Sequence, residues 1–103
     1  MRGVRFDAAA LAELVEIHAH ISADNPAAVA RVVGRIETIA ELLVRFPDMG
    51  RKLRHRPERM IVVDPYPYVM FYRSAGDEIH IRRIRHAARR RPELQETVRE
   101  FRV

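Results

Sequence analysis

The residues that most constrain the fold form the string Tyr-Val-Met-Phe-Tyr-Arg at positions 68–73. Aromatic and β-branched side chains dominate this string at odd and even positions alike, which predicts a strand that is apolar on both faces. A turn at 74–77 and an alternating segment at 78–81 predict a hairpin after it. A β-branched run at 60–63 precedes it, so we expect three successive antiparallel strands in the second half of the chain.

The central string leaves open which of its side chains face a second layer. Alternate side chains of a strand point to opposite faces of the sheet. Either Val69 and Phe71, or else Tyr68, Met70 and Tyr72, therefore lie in the core beneath other elements. Aromatic members of this string that are exposed could stack on nucleic-acid bases, but we expect at least half of them to be core.

The last strand contains a change of phase. Ile79 and Ile81 are separated by two residues and share a face, whereas Ile84 falls on the opposite phase. An extra residue in one strand of an antiparallel pair restores the phase of the residues that follow it. We therefore predict a β-bulge near Arg82 and Arg83.

The first half of the chain predicts a short strand and two helices. Residues 2–6 alternate apolar with basic side chains, and Asp7 then stands at the N-cap of the first helix. Asn25 and Pro26 suit the N-cap and first residue of the second helix, which ends near Arg45 before the breaker Phe-Pro-Asp-Met-Gly. Expected core stripes are Leu11, Leu14, Val15, His18 and Ile21 on the first helix and Val29, Val32, Val33, Ile36, Ala40 and Leu43 on the second. Off the first stripe lie Glu13, Glu16 and His20.

These elements predict a single α+β domain over residues 1–103. An N-terminal strand and an antiparallel helical hairpin pack on a small, mainly antiparallel sheet, and a short helix over 92–101 follows. The chain has no cysteine, which excludes disulfides and suits a reducing cytoplasm. No apolar run approaches the roughly 20 residues of a membrane helix, and no signal-peptide core begins the chain. We expect a cytoplasmic protein without membrane contact.

The net charge of +5 is concentrated at the C-terminal end. Residues 1–78 contain eleven basic and eleven acidic side chains, and residues 79–103 contain eight arginines and three glutamates. A second basic run occupies residues 51–59. Such clustering suits a nucleic acid, a nucleoprotein or an acidic protein partner, and the alternative is a solvated basic face.

Four strings resemble the RelE/ParE superfamily of bacterial toxins, in order and at similar spacing. They are DNPAAVARVVGRI at the entry to the second helix, FPDMGRKL in the loop after it, YPYVMFYR in the central strand and IHIRRIRHAARR in the last strand. The resemblance covers nearly the whole chain and favours the ParE-like branch, which includes plasmid stabilisation proteins.

The last string departs from the family's usual ending, Arg-Val-Leu-His-Gly-Arg-Arg-Asp. His86 and Arg89 match that ending, whereas Ala87, Ala88 and Arg90 stand at the places of its Gly, first Arg and Asp. These differences concern the contact with the target more than they concern the fold.

The nuclease branch of the superfamily cleaves messenger RNA on the ribosome. Its members often place a Tyr directly after the His near the end of the last strand, but here Ala87 follows His86 and no Tyr occurs after Tyr72. Our main expectation is therefore that the chain has no catalytic residues. The alternative is a RelE-like mRNA endoribonuclease, which would use His86, Arg59, Arg73 and Arg83.

We expect neither a cofactor nor a metal. His18 and His20 lie two residues apart on a helix and point away from each other. His80 and His86 could share a strand face, but no carboxylate stands at a suitable spacing to complete a metal site. The glycines are scattered, so no glycine-rich loop is available to bind phosphate.

The ParE-like resemblance implies a non-enzymatic toxin that binds DNA gyrase, stalls its DNA-cleaved state and so blocks replication. Its target-binding residues would be Arg83, Arg85, His86, Arg89 and Arg90. A small, acidic, ParD-like antitoxin would neutralise it within a hetero-oligomer, at a surface that includes Leu11, Leu14 and Arg82. A module that only binds nucleic acid directly is the third interpretation.

Overall fold

The computed structural model describes residues 3–87 of the chain. Its elements are β1 (Val4–Phe6), α1 (Ala8–Asp24), α2 (Pro26–Arg45), β2 (Arg51–Lys52), β3 (Arg59–Val62), β4 (Tyr68–Ala75) and β5 (Glu78–His86). This is the predicted order with β2 added, which at two residues is too short to show a side-chain period. The predicted helix over 92–101 lies outside the described residues.

The five strands form one mixed sheet in the order β1-β5-β4-β3-β2. β1 runs parallel to β5, with Val4 paired to Ile79. The other neighbours are antiparallel. The two helices contact each other and pack over β5, and the main core lies between the helices and the sheet. The predicted helical hairpin on a mainly antiparallel sheet is confirmed for this part of the chain.

The β-bulge in β5 lies where the sequence predicts it. Tyr72 pairs with Ile81 and Phe71 pairs with Arg83, so Arg82 is the extra residue. The bulge turns Ile84 into the same core cluster as the isoleucines before it. The change of phase in the sequence is thus resolved by one inserted residue.

Both faces of β4 are buried, which explains why the string at 68–73 is apolar throughout. The helices cover one set of side chains, Tyr68, Met70 and Tyr72. The other set lies on the opposite face in a smaller cluster of Leu53, Met60, Val69 and Phe71. The aromatic rings of β4 are therefore unavailable for stacking on bases.

The two helices differ in how well their buried faces could be predicted. The stripe on α2 is confirmed by the burial of Val32, Ile36, Ala40 and Leu43. The stripe on α1 is confirmed only in part. Leu14 and Ile21 pack half-buried against the core, but Ala10 and Ile17 are the buried residues, whereas Leu11 and Val15 are 49% and 69% exposed and His18 is exposed too. Apolar side chains occur around most of α1, so helical spacing alone did not determine which face packs on the sheet.

Asp7 and Asn25 stand at the predicted N-cap positions, but neither side chain makes a capping hydrogen bond. Asp7 instead forms an ion pair with Arg82 of the bulge, with Oδ2 2.8 Å from Nε. This contact fixes the start of α1 against β5. In the part of the chain that the structure describes, neither helix is long and apolar enough to cross a membrane.

Candidate functional site

The Glu13 carboxylate on α1 binds two basic residues of β5. β1 pairs with β5 only as far as Ile81, and the next donor on this edge, the Ile84 N–H, donates to Glu13 Oε1 at 2.9 Å. Arg83 donates to both carboxylate oxygens, through Nε and Nη2, at 3.1 Å each. Arg85 Nη1 lies 3.3 Å from Oε2. Glu13, a helix residue, thus accepts the hydrogen bond of the β5 edge beyond the point where its pairing with β1 ends.

In this group, called here the Glu13 cluster (Glu13, Arg83, Ile84 and Arg85), the carboxylate and Arg85 lie largely out of solvent, whereas Arg83 is partly exposed. The side chains of Arg85 and Glu13 are 7% and 14% exposed, and that of Arg83 is 42% exposed. Two parallel hydrogen bonds between a guanidinium and a carboxylate also fix their mutual orientation. The cluster therefore holds α1 against the strand immediately after its bulge. In the sequence, Glu13 lies off the predicted core stripe, and no pattern there indicates this role.

A cleft of about 340 Å³ opens beside the cluster, between α1 and the ends of β4 and β5. Its lining combines apolar with polar residues: Glu13, Glu16, Ile17, His20, Tyr68, Ile84 and His86. The rings of Tyr68 and His86 meet edge to face, with centroids 5.3 Å apart. His86 therefore forms part of the wall of this cleft, on the face of the sheet that carries the helices.

The residues predicted to bind the target lie along and beyond the end of β5. Arg83 and His86 are partly exposed, and Arg85 is buried in the Glu13 cluster. Arg89 and Arg90 lie outside the described residues. For Arg85, burial against Glu13 indicates a structural role, so a direct contact with a target would require the cluster to rearrange.

The four residues of the nuclease alternative do not meet at one place. Arg59 and His86 pair with Tyr72 and Tyr68, whose side chains face the helices. Arg83 pairs with Phe71 on the opposite face of the sheet, and Arg73, two residues after Phe71 on β4, lies on that face too. Arg59 and Arg83 are already engaged with other groups of the chain. A single phosphate could not contact all four side chains in this arrangement.

The predicted antitoxin-binding residues lie on and beside α1. Leu11 is exposed, and Val15, one turn further on, extends the same apolar strip. Leu14 is half-buried against the core. Arg82 projects from the bulge beside the start of α1, where its side chain keeps 41% exposure while paired with Asp7. These residues offer a partner an apolar helix face with a cation near its N-terminal end.

A buried tyrosine organises the loop after α2. The Tyr72 hydroxyl donates to the Pro47 carbonyl at 2.7 Å and accepts from the Gly50 N–H at 2.8 Å. Arg59 donates to the Gly50 carbonyl at 3.0 Å, and its Nη2 lies 3.4 Å from Asp48 Oδ1. Burial raises the pKa of the Tyr72 hydroxyl, which keeps it protonated and able to donate. From the sequence alone, this segment is recognisable only as a helix breaker.

Gly50 has a steric reason to be glycine. A Cβ at this position would lie 2.5 Å from Tyr72 Cε1 and 2.6 Å from its hydroxyl oxygen. Those distances are far below van der Waals contact, so the loop and the ring can meet only where there is no side chain. The Gly in the string FPDMGRKL is thereby explained by packing.

No group of three or more His, Cys, Asp or Glu side chains in residues 3–87 is arranged to hold a metal ion. The two histidines of the cleft and its glutamates do not converge on one point. Within the described residues, the site therefore consists of hydrogen bonds, ion pairs and apolar surface.

Comparison with known proteins agrees with this architecture. The family model described as the ParE toxin of the type II toxin–antitoxin system, parDE, matches residues 4–91. A protein of Sinorhizobium fredii named "Putative toxin Y4kP" is 37% identical over 91 residues, covering 88% of this chain and 94% of that protein. Toxin RelE2 of Caulobacter vibrioides is 40% identical over 80 residues, covering 78% and 89%.

A solved structure shows the same fold. A chain of the chromosomal ParDE toxin–antitoxin system from P. aeruginosa superimposes with a TM-score of 0.71 and 25% identity, covering 84% of this chain and 96% of that one. The family model spans β1 to the end of β5 and thus includes the bulge, the Glu13 cluster and the anchored loop. The chain therefore belongs to the ParE toxin family of type II toxin–antitoxin systems, within the RelE/ParE superfamily.

Proposed function

We propose that this toxin arrests growth by binding DNA gyrase and stalling its DNA-cleaved state. The observation that carries the proposal is the match to the ParE model from residue 4 to residue 91, combined with a His86 that no tyrosine follows. Stalling a cleaved intermediate requires binding and no chemistry of the toxin's own. Of the residues in the nuclease alternative, Arg59 and Arg83 already make structural contacts within the chain, which supports binding over catalysis.

The proposal is tested by expressing the chain without an antitoxin. We expect growth arrest with induction of the SOS response and accumulation of cleaved DNA in a purified gyrase assay, while bulk messenger RNA stays intact. The same chain supplied with its antitoxin is the matched control. Growth arrest without SOS induction, together with mRNA cleavage at ribosomal A sites, would replace this proposal with the nuclease alternative.

That alternative has one observation in its favour, which is the name RelE2 of the relative that is 40% identical. The geometry argues against it, because the candidate residues belong to opposite faces of the sheet. Primer extension on total RNA after induction decides between the two, since a ribosome-dependent nuclease leaves cuts in messenger RNA at ribosomal A sites.

The contact with gyrase is proposed at the end of β5 and in the chain after it. The proposed contact residues are Arg83, His86, Arg89 and Arg90. Arg85 supports them indirectly, because it pairs with the Glu13 carboxylate that also binds Arg83. Arg89→Ala together with Arg90→Ala should abolish toxicity, and circular dichroism of the double variant checks that the protein still folds. Undiminished toxicity of this double variant, at equal expression, would remove the C-terminal arginines from the target surface.

Membership of the ParDE systems supplies a ParD antitoxin as the partner. We propose that it covers the strip formed by Leu11, Val15 and the exposed part of Leu14, with Arg82 steering an acidic segment. Burial of apolar side chains of this kind is the main source of affinity in such contacts. Hydrogen exchange with and without the antitoxin should show protection over α1 and residues 79–87. Protection restricted to loops would exclude this surface.

A matched pair of variants separates antitoxin binding from toxicity. Leu11→Asp with Val15→Asp places two charges in the proposed contact and should leave a folded toxin that its antitoxin no longer neutralises. Ala9→Asp, an exposed position outside the strip on the same helix, should still be neutralised. Equal neutralisation of both would show that the antitoxin binds elsewhere.

A further inference from the structure

We propose that the loop after α2 and the basic segment that follows it, residues 45–56, form a binding surface for nucleic acid with unpaired bases. In this surface, called here the 45–56 surface, Phe46 stacks on a base and the surrounding cations contact phosphates. This binding is a property of the isolated chain, so its test does not depend on whether gyrase is the target.

The first observation is that the loop exposes large apolar side chains while its backbone is held in place. Phe46 and Met49 are 54% and 45% exposed. Yet the loop is bound to Tyr72 at both Pro47 and Gly50, and the Met49 N–H donates to the Phe46 carbonyl at 3.0 Å. An exposed ring on a fixed backbone loses less conformational entropy when a ligand binds it than a ring on a mobile loop would.

The second observation is the charge around that ring. Residues 45–56 contain five basic side chains and one acidic one. The basic residues, all exposed, are Arg45, Arg51, Lys52, Arg54 and Arg56. The acidic residue, Asp48, is paired with Arg59 at 3.4 Å. Exposed basic side chains therefore flank the loop on both sides along the chain.

Arg45 connects the two observations. Its guanidinium carbon lies 5.9 Å from the centroid of the Phe46 ring, a cation–π distance. Arg45 also occupies the last turn of α2, where its charge offsets the negative end of the helix dipole. Arg45 consequently shields an anion that approaches Phe46 from the carbonyl groups at the end of α2.

An exposed aromatic ring flanked by cations is the combination that single-stranded nucleic acids use, since each base offers a face for stacking and each phosphate a charge. An acidic protein segment would satisfy the cations but not specifically the ring. The aromatic side chains of β4 are buried, and Phe6 and Tyr66 pack partly buried against the core. Among the Phe and Tyr rings of the described residues, stacking therefore falls to Phe46 as the exposed one.

The test measures fluorescence anisotropy of a labelled single-stranded DNA oligonucleotide with the purified full chain. Phe46→Leu removes the ring but keeps apolar bulk, and we expect it to weaken binding by roughly five- to a hundredfold. Phe46→Tyr keeps a ring and should bind as the parent does. Val62→Ala, which trims another exposed apolar side chain, serves as the control and should leave binding unchanged. Equal binding by the Leu and Tyr variants overturns the stacking role.

A second arm tests the cations. Lys52→Glu should flatten the dependence of the logarithm of affinity on the logarithm of salt concentration, by roughly 0.7 per lost phosphate contact. Arg31→Glu makes the same charge change at an exposed position on α2, and its slope should match that of the parent. Identical slopes for the two variants place the anion elsewhere and overturn the proposal.

The choice of probe separates this surface from general attraction to anions. Single-stranded DNA should bind more tightly than a blunt duplex, and polyglutamate should compete poorly. Equal affinity for single strand, duplex and polyglutamate, with no effect of Phe46→Leu, would show a simple polyanion surface and overturn the proposal. Circular dichroism of each variant confirms that it is folded.

Discussion

The Glu13 cluster and the hydrogen-bonded Tyr72 hydroxyl, called here the Tyr72 anchor, hold two different parts of the fold to the same sheet by opposite physical means. Glu13 fixes α1 to β5 through charged groups, of which Glu13 and Arg85 are largely desolvated. Tyr72 fixes the loop after α2 through a neutral hydroxyl that donates one hydrogen bond and accepts another. A charged anchor gains more from each contact, but losing one partner leaves a buried charge behind. A neutral anchor loses only its hydrogen bonds.

The two anchors also support different proposed binding surfaces. The charged anchor lies next to the proposed target and antitoxin surfaces, where a partner's charges could compete for Arg83. The neutral anchor supports the 45–56 surface and keeps its apolar tip in place. Variants that weaken each anchor should therefore differ in size of effect, in pH dependence and in the activity they impair.

The largest effect is expected for Glu13→Ala, which leaves the buried Arg85 guanidinium without this carboxylate. We expect the free energy of unfolding to fall by about 3–5 kcal/mol, measured by urea denaturation. Glu13→Gln keeps an acceptor for the Ile84 N–H and should lose less. Glu16→Ala, an exposed glutamate on the same helix, is the control and should change stability by less than about 0.5 kcal/mol. Equal losses for Glu13→Ala and Glu16→Ala would contradict the importance of the cluster.

Gly50→Ala should have the next largest effect, because its Cβ would overlap the Tyr72 ring. Forcing extra volume into a packed site costs about 1–3 kcal/mol, and here both hydrogen bonds of the hydroxyl would be disturbed as well. Gly34→Ala is the control. A Cβ at Gly34 meets nothing within 4 Å, so alanine should stabilise α2 by about 0.5–1 kcal/mol. The two alanine variants should therefore shift the melting temperature in opposite directions.

Tyr72→Phe removes the hydroxyl without adding volume and should cost about 1–2 kcal/mol, since the Gly50 N–H and Pro47 carbonyl lose their partner. The pKa of Tyr72 is raised in the folded protein, so folding favours the protonated hydroxyl. This contribution to stability is complete below the unfolded pKa of 10.0 and is lost as the pH rises through the folded pKa. Chemical denaturation on both sides of that range should show the loss in the parent but not in Tyr72→Phe. A parallel decline in both proteins would assign the pH dependence to other groups.

The smallest effect is expected for the ion pair between Asp7 and Arg82. Its atoms approach to 2.8 Å, closer than those of the Glu13 cluster, but the two side chains keep 32% and 41% exposure. Partly solvated pairs contribute less than about 1 kcal/mol. A double-mutant cycle with Asp7→Ala and Arg82→Ala should give a smaller coupling energy than the same cycle for Glu13 and Arg83. The reverse order would show that distance matters more here than burial.

The sequence allowed prediction wherever neighbours along the chain carry the information. The hairpin after Arg73, the bulge at Arg82 and the buried face of α2 all follow from periods of two or 3.6 residues, and the structure confirms them. The buried face of α1 did not follow, because apolar residues occur around that helix. Nor did β2, whose two residues are defined only by their pairing with β3.

The candidate site was predictable to a lesser extent than the fold. Its basic residues could be named from the arginines of 79–90, and the four family strings are local in sequence. Their partners could not be named. Glu13 is separated from Arg83 by 70 positions, and Tyr72 is separated from Gly50 by 22. No local pattern marks a glutamate on a helix as the acceptor for a strand edge, or a tyrosine within an apolar strand as the anchor of a distant loop.

What the sequence by itself determined are the element types, their order and the chain's membership of a toxin family, because these depend on residue periodicity and on short strings. What only the tertiary structure decided is which charges are used internally and which remain for a partner. Packing α1 on β5 brings Glu13 to Arg83 and Arg85, and the same packing leaves Leu11 and Val15 facing outwards. Burial changes the energy of a charge far more than its neighbours along the chain do, so the role of each arginine is set by the fold around it.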